Sequence, residues 1–219
     1  MKCCIFMPTT INIHTNSSLY KSSQLTENDL RYKQYFEGIQ KIYQFNIDKK
    51  IDIYIADNSD FFDKETELKE YISKTSIVII KNIPNNYGCK NKGGGLIENW
   101  LHNKDILSRY DWIIHFEPRQ LLKSNQFIDS FLENPRNLFT YGGNFNNKDS
   151  NSLKHFNTGL FCIKTQYLIN FIKSISLNNF NVSIEYSIFN YFINNNIEIY
   201  ILEKLDLFWF PTNKNKLYF

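Results

Sequence analysis

Asp111-Trp112-Ile113-Ile114-His115-Phe116-Glu117-Pro118-Arg119 is the most informative segment of the chain. Its apolar run is too short for a helix and is stopped by proline, so 111–117 is predicted to be a buried β-strand. Strand residues two apart face the same side, which brings His115 and Glu117 together at the carboxyl end. Three further strands are expected upstream. Residues 3–7 form a short apolar run ended by Pro8, and 51–55 alternate before the polar turn Asp57-Asn58-Ser59. Residues 76–81 are β-branched and apolar on both faces, as in the central strands of parallel sheets. Between these strands, 30–45 carries apolar residues at helical spacing (Tyr32, Tyr35, Phe36, Ile39, Ile42, Tyr43), with Thr26 or Asn28 as N-cap. Helices are also expected over 64–73 and over 94–108, where Leu96, Ile97, Trp100, Leu101 and Leu107 are the apolar positions. Strand and helix thus alternate through the first half. This predicts an α/β fold, a three-layer α/β/α sandwich with a mostly parallel central sheet that binds ligands at the carboxyl ends of its strands.

The second half is more mixed. Helices are expected over 125–132, 166–175 and 183–194, and strands over 138–143, 161–164 and 197–202. Residues 144–152 are polar and read as a loop. The aromatic segment Leu207-Phe208-Trp209-Phe210-Pro211 reads as core packing. No linker or repeat divides the chain, so 1–219 is taken as one domain.

Composition narrows the function classes. The chain has 219 residues, 42% hydrophobic and 21% charged, which is ordinary globular usage. Its 19 Phe and 14 Tyr supply a large core. Heavy use of Asn, Ile and Lys reads as the mark of an AT-rich genome, as in many large DNA viruses and some host-associated bacteria. The net charge of +3 has no block of like charges behind it, so nucleic acid is not an expected partner. Cys3, Cys4, Cys89 and Cys162 lack zinc-type spacing and read as reduced, buried small hydrophobes. There is no signal-peptide pattern and no apolar run near the ~20 residues that span a bilayer, so a cytoplasmic location is expected.

The glycine stretch Asn91-Lys92-Gly93-Gly94-Gly95 holds three of the chain's 8 glycines ahead of a helix. Bare backbone N–H groups, a cation and a helix N-terminus make a suitable cradle for a diphosphate or a sugar hydroxyl. It is neither a P-loop nor a dinucleotide-binding fingerprint. Arg119 is one of only four arginines in this Lys-rich chain.

Four segments, taken in order, resemble the GT-A glycosyltransferases, especially the family 2-like ones: Ile55-Ala56-Asp57, Asn91 through Asn99, Asp111 through Glu117, and Phe156-Asn157-Thr158-Gly159-Leu160-Phe161 followed by Ser183-Ile184-Glu185-Tyr186. The resemblance implies a nucleotide-diphospho-sugar donor (UDP- or GDP-sugar), a glycan or other hydroxyl acceptor, and glycan biosynthesis. Asp57 matches the strand-end aspartate that accepts from the base, although Asp-Asn-Ser is also a natural turn former. Thr9, Lys92, Gly93, Gly94 and Arg119 are expected around the nucleotide and its diphosphate. His115 and Glu117 stand where the family carries Asp-X-Asp. They are expected either to hold Mn²⁺ or Mg²⁺, or to work without metal while Arg119 or a lysine neutralises the leaving diphosphate. Asn157 and Gly159 match the loop that lines the sugar pocket. Glu185 matches the general base of inverting members, although Tyr186 follows it where they carry Asp, and a glutamate after a cap serine also suits a helix first turn. The expectation is an inverting glycosyltransferase. The alternative is a catalytically inactive GT-A-like domain that binds a glycan or a protein.

Overall fold

A computed structural model describes residues 1–12, 28–59, 61–64, 66–88, 90–142, 154–203, 207–209 and 217–218. The candidate cap Thr26, Cys89, Pro211 and the loop 144–152 lie outside the described residues. The first four strands are β1 (Cys3–Thr9), β2 (Asp52–Asp57), β3 (Val78–Ile80) and β4 (Trp112–Phe116). Helices α1 (Asn28–Asn46), α2 (Glu67–Ser73), α3 (Lys92–His102) and α4 (Lys104–Leu107) alternate with them. There follow β5 (Leu121–Leu122), α5 (Gln126–Glu133), β6 (Leu138–Phe139), β7 (Leu160–Lys164), α6 (Thr165–Ser174), α7 (Ile184–Asn194), β8 (Tyr200–Ile201), β9 (Leu207–Trp209) and β10 (Leu217–Tyr218).

Among the described residues, seven strands make one sheet in the order β3-β2-β1-β4-β7-β6-β8. β1 pairs parallel with β2 and with β4, whereas β7 runs antiparallel to both of its neighbours. A small antiparallel sheet, β10-β9-β5, stands apart from it. From β1 the chain builds outward to β2 and β3 and later returns to β1's other side with β4. The two directions part between β1 and β4, the kind of crevice in which α/β sheets bind ligands.

Period-2 alternation sorts the core into two layers. Ile5, Met7, Ile53, Ile55, Ile114 and Phe116 face one side, under Tyr35, Ile39 and Ile42 of α1, Leu68 and Ile72 of α2, and Phe131 of α5. Cys4, Phe6, Ala56, Ile113 and Phe161 face the other, against Ile97 and Trp100 of α3, Phe171 of α6, and Ile188 and Phe192 of α7. The result is the expected α/β/α sandwich.

Three expectations need correction. Strand β3 is at the sheet edge among the described residues, with Val78 49% exposed, because none of them adds a strand beyond it; a doubly apolar run does not by itself demand a central place. β1 continues through Pro8 to Thr9 rather than ending at the proline. Pairing with β4 stops at Phe6, so the missing proline N–H leaves no ladder bond unmade on that side. The helix expected over 94–108 is two, α3 and α4, broken at Asn103, whose side chain turns back onto Asn99.

Candidate active site

A cavity of about 500 Å³ opens at the carboxyl ends of β1, β2 and β4. The end of β1 gives it Thr9, followed by Thr10, the turn after β2 gives Asn58, and β4 gives His115, followed by Glu117 and Arg119. The start of α3 brings Lys92, Gly93 and Gly95, the start of α7 brings Ser183 and Glu185, and α1 adds Arg31. Helix placement depends on bare backbone. A Cβ on Gly38 of α1 would sit 1.7 Å from the Pro118 carbonyl oxygen, so glycine lets α1 lie directly on the turn after β4.

Of the residues expected at the site, Thr9, Lys92, Gly93, His115, Glu117, Arg119 and Glu185 share this cavity. The strand-end His–Glu pair, the glycine segment and the turn after β2 therefore open onto one space.

Asp57 lies beneath the wall, 5% exposed, and its carboxylate is already used. Oδ1 accepts from the Ser59 amide (3.0 Å), the Ser59 hydroxyl (2.7 Å) and the Phe61 amide (3.3 Å). Oδ2 accepts from the Thr9 hydroxyl (2.7 Å) and the Ile11 amide (3.3 Å). The turn-former reading describes this carboxylate, which ties the ends of β1 and β2 together, and Asn58 faces the cavity in its place.

The glycines differ from expectation for a related reason. Helix α3 begins at Lys92, and Asn91 caps it by accepting from the Gly93 amide (2.8 Å) and the Gly94 amide (3.3 Å). Those N–H groups are satisfied internally rather than left bare. The glycines serve close packing: a Cβ on Gly95 would stand 2.6 Å from Gly88 Cα, and one on Gly93 would stand 3.0 Å from Ile184 Cβ. Gly94 is buried beside Tyr87 and does not line the cavity. Nor do Asn157 and Gly159. Asn157 Oδ1 accepts from the Gly159 amide (2.8 Å), and Gly159 makes room for Gln120, whose Nε2 would lie 1.8 Å from an added Cβ. The residue between them, Thr158, lines the cavity.

His115 points from β4 into the α3–α6–α7 layer, 1% exposed and stacked on Phe161 at 4.5 Å. Its Nδ1 accepts from Trp100 Nε1 (3.3 Å), and its other nitrogen donates to the backbone of Thr158. Burial pushes its pKa down to about 3, against a smaller upward pull from the Thr158 bond. The ring is therefore neutral and both nitrogens are engaged, so His115 does not fit the role of a metal ligand. Glu117 Oε1 lies 3.3 Å from Arg119 Nε, and its Oε2 accepts from Gln120 (3.4 Å). The expected His–Glu metal pair is thus corrected to a buried core histidine beside an ion-paired glutamate.

Glu185 sits in the first turn of α7 behind the N-cap Ser183. Oε1 accepts from the Thr158 hydroxyl (3.3 Å) and Oε2 from the Ser183 hydroxyl. Two hydroxyl donors hold the carboxylate in place at the cavity wall.

The cavity's charge is cationic on balance. Arg31, Lys90, Lys92 and Arg119 line it against Glu117 and Glu185, four cations to two carboxylates. Lys92 reaches solvent, yet its pKa is lowered, first by desolvation against the cavity wall and next by Arg119, while Glu117 raises it. Arg31 was not expected from the sequence. It is 7% exposed, with Nε donating to the Thr10 carbonyl (2.6 Å) and Nη2 to the Tyr35 hydroxyl (3.2 Å). Two signals were present: it shares Arg119's scarcity, and it lies four residues before Tyr35 on the apolar stripe of α1, where a charge calls for an explanation.

No protein-family profile matches the chain, and no curated protein matches it by sequence. Solved structures do. A protein from Desulfovibrio desulfuricans G20 described as a nucleotide-diphospho-sugar transferase superposes with a TM-score of 0.53 at 11% identity, over 93% of this chain and 80% of that one. One from Bacillus anthracis described as a glucose-1-phosphate thymidylyltransferase, in complex with a sucrose, superposes with a TM-score of 0.53 at 13% identity, over 92% and 86%. With the strand order above, these likenesses settle the architecture: the chain has a GT-A-like, nucleotide-diphospho-sugar transferase-type α/β fold.

Proposed function

We propose that the protein is a nucleotide-sugar-dependent glycosyltransferase that passes a sugar from a nucleoside-diphosphate donor to a hydroxyl acceptor. The observation that carries this reading is the pairing, in one cavity, of a cation group (Arg31, Lys92, Arg119) with a carboxylate, Glu185, held by two hydroxyls. The cations suit a diphosphate leaving group. Glu185 suits a general base, since an anchored carboxylate can take the acceptor's proton as its oxygen attacks the anomeric carbon. The new C–O bond forms as the bond to the diphosphate breaks, and the electron pair leaves with the phosphate oxygen, whose charge the cations neutralise. Direct attack of this kind inverts the anomeric centre.

Asn58, not Asp57, is the polar side chain that would meet the base, because it faces the cavity and Asp57 does not. Panel screening tests the assignment. UDP- or GDP-sugars should raise the melting temperature, and Arg119→Ala should remove that response while leaving the fold intact by circular dichroism. A full response in Arg119→Ala would sink the site assignment.

A second reading has one observation in its favour. His115 occupies an Asp-X-Asp position without offering a ligand atom, as in a domain that binds glycans but does not catalyse. Slow hydrolysis of the donor separates the two, because a transferase leaks to water and a binding domain does not. Nucleotidyl transfer, the activity named for the Bacillus anthracis protein, fits less well. It calls for a basic, glycine-rich loop directly after the first strand, and this chain has Pro8-Thr9-Thr10-Ile11-Asn12 there.

A further inference from the structure

Arg31 is the feature that neither the fold nor the core accounts for. A guanidinium at 7% exposure has lost most of its water, and removing a cation from water costs several kcal/mol unless an opposite charge compensates. Among the described residues no carboxylate pairs with it; its partners there are one carbonyl and one phenol, both neutral. These two bonds use Nε and one Nη2 hydrogen, and they hold the remaining N–H donors in a fixed orientation at the cavity wall. Two more cations belong to the same electrostatic neighbourhood, since Lys92 responds to the charges of both Arg119 and Arg31. Glu117, the carboxylate nearest them, is held by Arg119 at 3.3 Å.

We infer that Arg31, with Lys92 and Arg119, forms a diphosphate-binding site that does the work of a divalent cation, with Arg31 as its pre-oriented anchor. With Lys90, the cavity's four cations against Glu117 and Glu185 leave a surplus of two positive charges, which matches the two negative charges of an esterified diphosphate and exceeds the one of a phosphodiester. The donor set supports the same conclusion. His115 has no nitrogen to give a metal, and the Glu117 carboxylate faces an arginine. Binding is therefore metal-independent and sensitive to salt. This inference rests on reading the cavity as the donor site, and it narrows that site to a diphosphate held by side-chain cations.

The test uses inorganic pyrophosphate, UDP and a UDP- and GDP-sugar panel on the full chain, by calorimetry in EDTA and again in Mn²⁺. Pyrophosphate and UDP should bind with the same affinity in both buffers and more weakly as NaCl rises from about 50 to about 500 mM. Arg31→Gln, which keeps a donor for the Thr10 carbonyl, should weaken pyrophosphate binding roughly tenfold or more. Its melting temperature without ligand should stay at or above wild type, because the variant removes a buried charge that no carboxylate among the described residues offsets. Binding that requires Mn²⁺, an affinity indifferent to salt, or wild-type affinity in Arg31→Gln would each overturn the proposal. If that variant does not fold, the metal and salt comparisons on the wild type still decide it. Pyrophosphate binding with no added affinity for any nucleotide-sugar would leave the diphosphate site standing and remove the glycosyltransferase reading.

Discussion

At the residue scale, the carboxylate and the histidine make opposite predictions. Glu185 is held by the Thr158 and Ser183 hydroxyls and stands at the cavity wall, so its proposed role is in the reaction step rather than in donor binding. Glu185→Gln keeps the shape and one of the two acceptor oxygens but cannot take a proton. It should lower kcat by roughly 10²–10⁴ and leave donor affinity nearly unchanged. Loss of donor affinity with kcat retained would assign Glu185 to binding. His115 should matter for stability instead. Its folded pKa of about 3 lies below the ~6.5 of an unfolded histidine. Above pH 6.5 both states are neutral and its contribution is complete. As pH falls from 6.5 toward 3 the unfolded chain takes up a proton that the folded chain refuses, so stability drops, at most ~1.4 kcal/mol per pH unit. Denaturant melts of wild type and His115→Phe between pH 7 and pH 5 should show a shallower slope in the variant. Equal slopes would mean that His115 is not held neutral.

At the element scale, the position of α3 depends on where its glycines fall. Gly95 meets the Gly88 backbone, and a Cβ there would stand 2.6 Å from Gly88 Cα, a contact that no side-chain rotation relieves. Gly95→Ala should therefore destabilise by about 1–3 kcal/mol despite alanine's better helix propensity. At Gly94 the closest atom is Tyr87 Cβ at 3.3 Å, so Gly94→Ala trades mild crowding against a helix gain of up to ~1 kcal/mol and should be near neutral. Urea denaturation of the two variants tests the contrast, and similar effects at both sites would refute this account of α3 packing. The sequence suggested that the three consecutive glycines bare their backbone toward a ligand, whereas they serve packing. It did not indicate what approached, and the partners proved to be the 83–88 loop and the start of α7.

At the scale of the whole molecule, a ligand joining α1, β1, β4, α3 and α7 should raise global stability. At one hundred times its dissociation constant the gain is ~2.7 kcal/mol, about 5–10 °C for a chain of this length. A nucleotide-sugar that binds this cavity should give a shift of that size, and an entire panel without one would end the donor proposal. Much of the architecture was legible in the chain itself. Short apolar runs at 3–7 and 111–117, the alternation at 51–55 and the helical stripe of Tyr35, Ile39 and Ile42 marked the strands and the helix, because run length and side-chain periodicity are local properties of the backbone. The same periodicity placed His115 and Glu117 at one strand end. Tertiary structure alone decided what these groups can do. It set Trp100 and Thr158 on the two nitrogens of His115, spent the Asp57 carboxylate on five donors, and brought Arg31 from the distant α1 to the cavity through the bare contact of Gly38 with Pro118. A residue's type tells which bonds it can make. Which partners reach it first depends on contacts between segments far apart in the chain, and no local pattern records them.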